Sequence, residues 1–272
     1  MVNLLAAAAA LAGAAFAAPA PQTHALPRAA VVEDANPAMF VVRDADTTIY
    51  IFGTYHALDG RSRWFKGPVR HAFDVSDELV LETVIPDGPV QLSPRPMFNG
   101  RPLPMSPSAS FAATRMAVDA GRSQGQQVAN GADMVLRRAA ESVGKPVEGL
   151  ETPEAQYNMF QRMPDPDPQP YDADAERRAV DNLRQTLSVT QAAWKRGDQT
   201  VFAQVLEGMR RNSPESYRLM FTERNARWAD WIAGRMQTPG VVFVAVGAGH
   251  LAGRDSLLVR LAQLGIVANR VN

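Results

Sequence analysis

The chain contains no cysteine. Disulfides, thiolate metal ligands and cysteine nucleophiles are excluded, although this alone does not fix the redox compartment. Neither sign of charge is in excess: 28 Lys and Arg balance 28 Asp and Glu over 272 residues. No basic patch stands out, so nucleic acid is not an expected partner. Beyond residue 18 no segment approaches the ~20 apolar residues that a membrane span needs. Several catalytic signatures are also missing. There is no Gly-x-Ser-x-Gly elbow, no dinucleotide fingerprint, no Walker A loop and no His-Glu-x-x-His helix. Any reactive site must be assembled from distant parts of the chain.

Residues 4–18 form an unbroken run of small apolar residues ending in Ala15-Phe16-Ala17. This matches the apolar core and A-x-A cleavage site of a secretory signal peptide over residues 1–18, although no Lys or Arg precedes the run. The expected location is secreted or periplasmic. Residues 19–37 are rich in Pro and Ala and read as a disordered leader. His24 lies there and is not expected to do chemistry. Residues 38–272 are long enough for one domain with a sizeable core.

The chain is organised around residues 241–253, VVFVAVGAGHLAG. Six uninterrupted apolar residues, mostly β-branched, predict a strand buried on both faces. The run stops at Gly247-Ala248-Gly249, where glycine permits a sharp turn, including one through positive φ. His250 follows directly. An imidazole is thus delivered off the carboxyl end of a central strand, where open α/β sheets place their ligands. A second copy lies near the other end. The β-rich run 47–52 is followed by Gly53-Thr54-Tyr55-His56, with the same Gly-x-x-His spacing. If the two strands are parallel neighbours, both histidines sit at one end of the sheet.

The run 38–42 reads as a hairpin partner of 47–52. Residues 64–75 show helical periodicity, with Trp64, Val69, Ala72 and Phe73 on the apolar face and His71 on the surface. Residues 78–84 read as another strand, in which Glu82 interrupts an apolar run. A carboxylate inside a central strand is costly unless paired or metal-bound; the alternative is an edge strand with Glu82 facing water. The β-α-β spacing places Glu82 at the histidine end. Residues 86–107 are rich in Pro and Gly and read as a long loop over the site. Helices are expected at 110–120 and 132–142, with a turn and short strand over 144–150. Thr152 and Pro153 open another helix, and 164–170 is a breaker. Three helical segments follow: Ala173–Lys195, 198–211, and 213–236 with a kink. Trp194, Trp228 and Trp231 read as core anchors. Glu223, Arg224, Asn225 and Arg227 have the ordinary reading of a solvated charged face. A helix over 254–264 and a strand over 266–271 close the chain. The expected fold is α/β: a mixed, largely parallel sheet flanked by helices, with a helical middle region.

Two histidines and a glutamate at strand ends suffice for a catalytic divalent metal with an open position for water. His and carboxylate ligands suit Zn, Mn, Co or Fe. Such a metal lowers the pKa of its water toward ~7, and the glycine turns can aim N–H groups at a developing oxyanion. The same residues also permit a metal-free site, with one histidine as base and Glu82 orienting it.

Six motifs, in order, resemble the TraB/GumN family, whose animal relatives are the Tiki proteins. They are IFGTYH (51–56), ELVLET (78–83), GADxxL (131–136), GKPVEGLETxxxQ (144–156), ERNxxW (223–228) and VAVGAGHLAG (244–253). The resemblance spans residues 38–271. It implies a fold similar to that of erythromycin esterase and the haem-binding ChaN proteins, with His56, His250 and Glu82 at the active centre. Glu151, Gln156, Glu223, Arg224 and Asn225 match further family positions. The Tiki relatives are membrane-tethered metalloproteases using Mn or Co; this chain shows no such anchor. The expected function is an exported metal-dependent hydrolase of peptide bonds or of a small-molecule substrate. His56 and His250 would hold the metal (Mn, Co or Zn). Glu82 would be a third ligand or the base, and Arg224 would orient substrate or pair with Glu82. Gly53, Gly247, Gly249, Glu151 and Asn225 would contact substrate. The alternatives are a metal-independent His/Glu esterase and a non-catalytic scaffold binding haem or an envelope glycan. The oligomeric state is left open.

Overall fold

A computed structural model describes residues 32–84, 97–98, 101–102, 109–164 and 172–272. The expected signal peptide, most of the leader, residues 165–170 of the breaker and most of the 86–107 loop lie outside the described residues. Of that loop, Met97–Phe98 and Arg101–Pro102 form a small antiparallel pair.

In chain order the elements are β1 (Met39–Arg43), β2 (Thr47–Thr54), α1 (Gly67–Val75), β3 (Glu78–Thr83), α2 (Ala109–Ser123) and α3 (Ala132–Ser142). Then come β4 (Val147–Glu151), α4 (Pro153–Gln161), α5 (Ala173–Lys195), α6 (Gln199–Asn212), α7 (Pro214–Tyr217) and α8 (Glu223–Arg235). The chain closes with β5 (Gly240–Gly247), α9 (Leu257–Gln263) and β6 (Asn269–Arg270). The six strands make one mixed sheet in the order β6-β1-β2-β5-β3-β4. β2, β5, β3 and β4 run parallel, while β1 and β6 add antiparallel. The fold is therefore α/β.

The expected hairpin forms because Asp44 turns the chain. Its Oδ1 accepts the N–H of Asp46 at 3.2 Å and of Thr47 at 2.8 Å, an Asx turn. β5 lies at the centre, as its unbroken apolar run requires. Phe243 and Ala245 face one side of the sheet, packing with Phe52, Phe73, Leu79 and Leu81. Val242, Val244 and Val246 face the other, against Trp228, Ile232, Leu257 and Leu261. That alternation is the period-2 geometry of a strand covered on both faces. Trp194 and Trp228 are buried core anchors, and Trp231 is partly buried.

Three boundaries differ from expectation, and the expected kink in 213–236 has a local cause. α1 starts at Gly67 rather than at 64, with Pro68 in its first turn, because proline tolerates only that helical position. Trp64 lies outside the helix yet is buried, its ring stacked on Phe52 at 5.4 Å. The helix expected over 213–236 is interrupted by a π turn at Arg218–Thr222, which supplies its kink. α9 begins at Leu257, capped by Ser256, instead of at 254. The last strand is two residues long rather than spanning 266–271, and pairs antiparallel with β1 at an edge. Among the described residues no helix is long and apolar enough to cross a membrane.

Candidate active site

β2 and β5 are parallel neighbours with Thr54 opposite Gly247. Both Gly-x-x-His turns therefore leave the same end of the sheet, two strands joined side by side. β3 lies on the other flank of β5 and is parallel to it, which brings Glu82 to the same end. His56, Glu82 and His250 are all buried, at 7%, 4% and 2% exposure.

The glycines act through space rather than through unusual dihedrals. Gly53, Gly247 and Gly249 are absent from the residues with positive φ, and Gly247 has φ −52°. The turn therefore does not use the positive φ that glycine permits. A Cβ on Gly247 would stand 3.1 Å from Glu82 Oε1 and 3.2 Å from His56 Nε2. Gly53 meets Ala248 and Leu251, and Gly249 meets the Phe221 ring. Those two glycines allow the 3₁₀ turn Ala248–Leu251 to pack closely; their neighbours are protein atoms other than those of His56 and Glu82. The Gly247 N–H donates to Glu82 Oε1 at 2.6 Å, so it is committed to a protein carboxylate and not aimed at substrate.

The second half of the site comes from α8. The π turn before it widens the helix by one residue per turn, a feature often found at functional sites. Arg224 and Asn225 then point inward and are each 1% exposed. The solvated-face reading fails for this pair and holds only for Glu223 and Arg227 at the rim. Glu223 pairs with Arg218 and Arg227. Arg224 Nη2 donates to Glu82 Oε2 at 2.7 Å, and its Nε donates to Glu151 at 3.0 Å. Arg227 joins Glu151 from outside at 3.1 Å. Asn225 Oδ1 accepts from His250 Nδ1 at 2.7 Å, while its amide nitrogen donates to the Asp255 carbonyl. Glu151 and Asn225 hold Arg224 and His250 in place. Gln156 is buried on α4, and His71 is exposed on α1.

These bonds fix the tautomer of His250. Nδ1 carries the proton, and Nε2 offers its lone pair to Arg224 Nη1 at 3.3 Å. Burial pushes this imidazole down to about 3, with the Arg224 charge adding to the effect. His250 is thus neutral, and its 3.8 Å approach to Glu82 is a dipolar contact rather than an ion pair. Its ring lies between Phe221 and Trp228, at centroid distances of 4.8 and 4.4 Å.

His56 is the opposite case. Burial alone would lower it, but Asp133 Oδ1 accepts from Nδ1 at 3.1 Å. That carboxylate, with help from Glu82, raises His56 to about 9. The ring is an imidazolium at neutral pH. Burial pushes Glu82 up, but Arg224, the His56 imidazolium and the Gly247 N–H outweigh it and hold the carboxyl at about 2. Arg224 is raised above its ordinary value, since Glu82 and Glu151 overcome its burial.

Asp133 has no role in the sequence reading, although its Gly-Ala-Asp motif marks it. The backbone explains the motif. A Cβ on Gly131 would lie 2.2 Å from the His56 carbonyl oxygen, and Ala132 N–H donates to the Tyr55 carbonyl at 2.9 Å. Only glycine lets α3 begin against the His56 turn, which sets Asp133 within reach of the ring. Thr54 and Thr83 were likewise quoted within motifs without a role. Both line a cavity with His56, Glu82 and Asp133. Its empty space is about 410 Å³, part of it open to solvent.

The expected metal set of His56, His250 and Glu82 does not fit this arrangement. Among the described residues no group of three His, Asp or Glu is placed to hold a metal ion. The His250 lone pair already faces Arg224 Nη1 at 3.3 Å, so that imidazole is not free to bind an ion. A divalent ion between Glu82 and His250 would sit against the buried guanidinium, a like charge in a poorly screening interior. Arg224 fills the electrostatic position that a metal would take.

A sequence model of the TraB/PrgY/gumN family matches residues 38–104 and 92–270. No curated protein and no solved structure matches the chain.

Proposed function

The chain belongs to the TraB/PrgY/gumN family, and from that premise we propose that it is an exported hydrolase that adds water across an acyl bond, ester or peptide, by metal-free acid–base catalysis. The observation that carries this reading is the shared cavity: the Glu82 carboxylate and the His56 imidazolium line it together, and the absence of a side chain at Gly247 lets both approach the same strand end.

The roles follow from the charges. Ionised Glu82 accepts a hydrogen bond from the attacking water. The imidazolium of His56 donates from Nε2, and Asp133 keeps the ring in the orientation that allows it. As the water oxygen bonds to the acyl carbon, its proton passes to Glu82. The scissile bond breaks and the leaving group takes the His56 proton. Glu82 then returns its proton to His56, which restores the starting state. A carboxyl held at about 2 is a weak base by itself; donation by His56 to the leaving group is what drives the transfer. Acid–base assistance of this kind contributes about 10²–10⁴ in rate. Arg224 fixes Glu82, and His250 packs against Arg224 from its other side.

The haem-binding alternative is less well supported. An axial ligand needs an unprotonated nitrogen facing open space; both His250 nitrogens are engaged within the protein, and His56, held at about 9, carries protons on both of its own. Export rests on residues 1–18 alone. The test is hydrolysis of p-nitrophenyl acetate and of a peptide library by the wild type, Glu82→Gln and His56→Gln, all with EDTA present. Turnover in the wild type with a loss of about 100-fold or more in both variants supports the reading. Equal turnover in all three overturns it.

A further inference from the structure

We propose that the hydroxyls of Thr54 and Thr83 form the subsite for the oxygen of the scissile carbonyl, donating to it as it becomes an oxyanion. The inference rests on the acyl-hydrolase reading above and names the part of the substrate that the site grips.

Three observations converge. First, both side chains are buried, at 2% and 8% exposure, and neither hydroxyl has a hydrogen-bond partner. A buried hydroxyl without a partner costs folding free energy, and such groups call for an explanation. Second, both residues line the cavity that holds His56 and Glu82. Third, the sheet sets them on either side of Gly247. Thr54 pairs with Gly247. Thr83 lies two residues past Leu81, whose partner is Ala245, so the same register carries it level with Gly247. Strands on both sides of β5 thus bring a hydroxyl level with Gly247, beside the cavity that His56 and Glu82 line.

The chemistry fits the position. Acyl transfer needs donors aimed at the oxygen that gains charge. The backbone donor nearest at hand, the Gly247 N–H, is taken by Glu82 at 2.6 Å. Threonine is β-branched and stiff about χ1, and each of these two stands at the end of a core strand. Their hydroxyls are therefore held in place before substrate arrives. The ligand class is a carbonyl compound, and a tetrahedral phosphonate mimics its charged intermediate.

The test uses Thr54→Val and Thr83→Val, which keep shape and remove the hydroxyl, with Thr→Ser at each site as rescue. The probes are p-nitrophenyl acetate for turnover and phenyl methylphosphonate for inhibition. Each valine variant is expected to lose about 100- to 1000-fold in kcat, the usual effect of one lost oxyanion donor. KM should change far less, phosphonate inhibition should weaken, and serine should restore both. Tm should stay level or rise, because an unpartnered hydroxyl gives way to a methyl. Full turnover in the valine variants, or a lowered Tm with unchanged phosphonate inhibition, overturns the subsite. A wild type that binds phosphonate through these threonines but does not turn over the ester overturns the hydrolase reading alone. A wild type that does neither overturns both.

Discussion

Asp133 Oδ1 lies 3.1 Å from Nδ1 of His56, across 77 residues of sequence. This one contact decides the charge of the site. Without it, burial would keep the imidazole neutral, as it does His250. With it, His56 is raised to about 9 and serves as an acid at neutral pH. Asp133→Asn should therefore bring the His56 titration, followed by NMR, well below 9. The alkaline fall in kcat should move down with it. An unmoved titration would remove Asp133 from the account.

The two histidines should give stability a maximum near pH 6.5. His56 has a raised folded value, so its contribution is complete below about 6.5 and is lost as pH climbs through about 9. His250 has a depressed value, so its contribution is complete above about 6.5 and is lost as pH falls toward about 3. Glu82 adds a further loss between about 4.5 and 2. Thermal unfolding across pH should show both slopes. His56→Gln should flatten the alkaline one and leave the acid one.

Gly247→Ala and Gly131→Ala separate space at the site from space in the fold. At Gly247 φ is −52°, so alanine can adopt the backbone. Its methyl would press on Glu82 Oε1 at 3.1 Å and His56 Nε2 at 3.2 Å, so both catalytic side chains must shift. Activity should fall by at least about 100-fold, on the scale of losing acid–base assistance, with little change in Tm. At Gly131 the methyl would meet the His56 carbonyl at 2.2 Å. That clash is with backbone and should cost about 1–3 kcal/mol of stability, visible in urea unfolding.

Arg224→Met should be among the most damaging single changes. It leaves Glu82 and Glu151 buried without their shared cation. Breaking a buried pair from one side costs about 3–5 kcal/mol. The triple variant with Glu82→Gln and Glu151→Gln should recover much of that loss in chemical denaturation. A mild effect of Arg224→Met alone would show that the guanidinium does not hold the two carboxylates.

The central strand, the paired Gly-x-x-His turns and the position of Glu82 were legible in the sequence. Each is a local signal: an unbroken β-branched run, a repeated spacing, a charge inside an apolar strand. Arg224 was less so. Glu-Arg-Asn on a helix looks like a solvated face, and only the π turn before it rotates Arg224 and Asn225 inward. Asp133 was not legible in role, since its meeting with His56 depends on a close backbone approach at Gly131. The metal expectation failed for a related reason. Ligand types can be counted in a sequence, but a buried guanidinium already seated among them appears only in three dimensions. The glycines were legible as special, but close packing and positive φ select the same residue, and only the structure shows that close packing is the reason here.

The central claim is that Arg224, and not a metal, balances Glu82 in a working hydrolytic site. The measurement that tests it most directly is kcat of the wild type on p-nitrophenyl acetate before and after exhaustive removal of metal with EDTA. The account predicts unchanged turnover after chelation, and loss of that turnover in Glu82→Gln. Turnover that disappears on chelation and returns with added Mn or Co would contradict it.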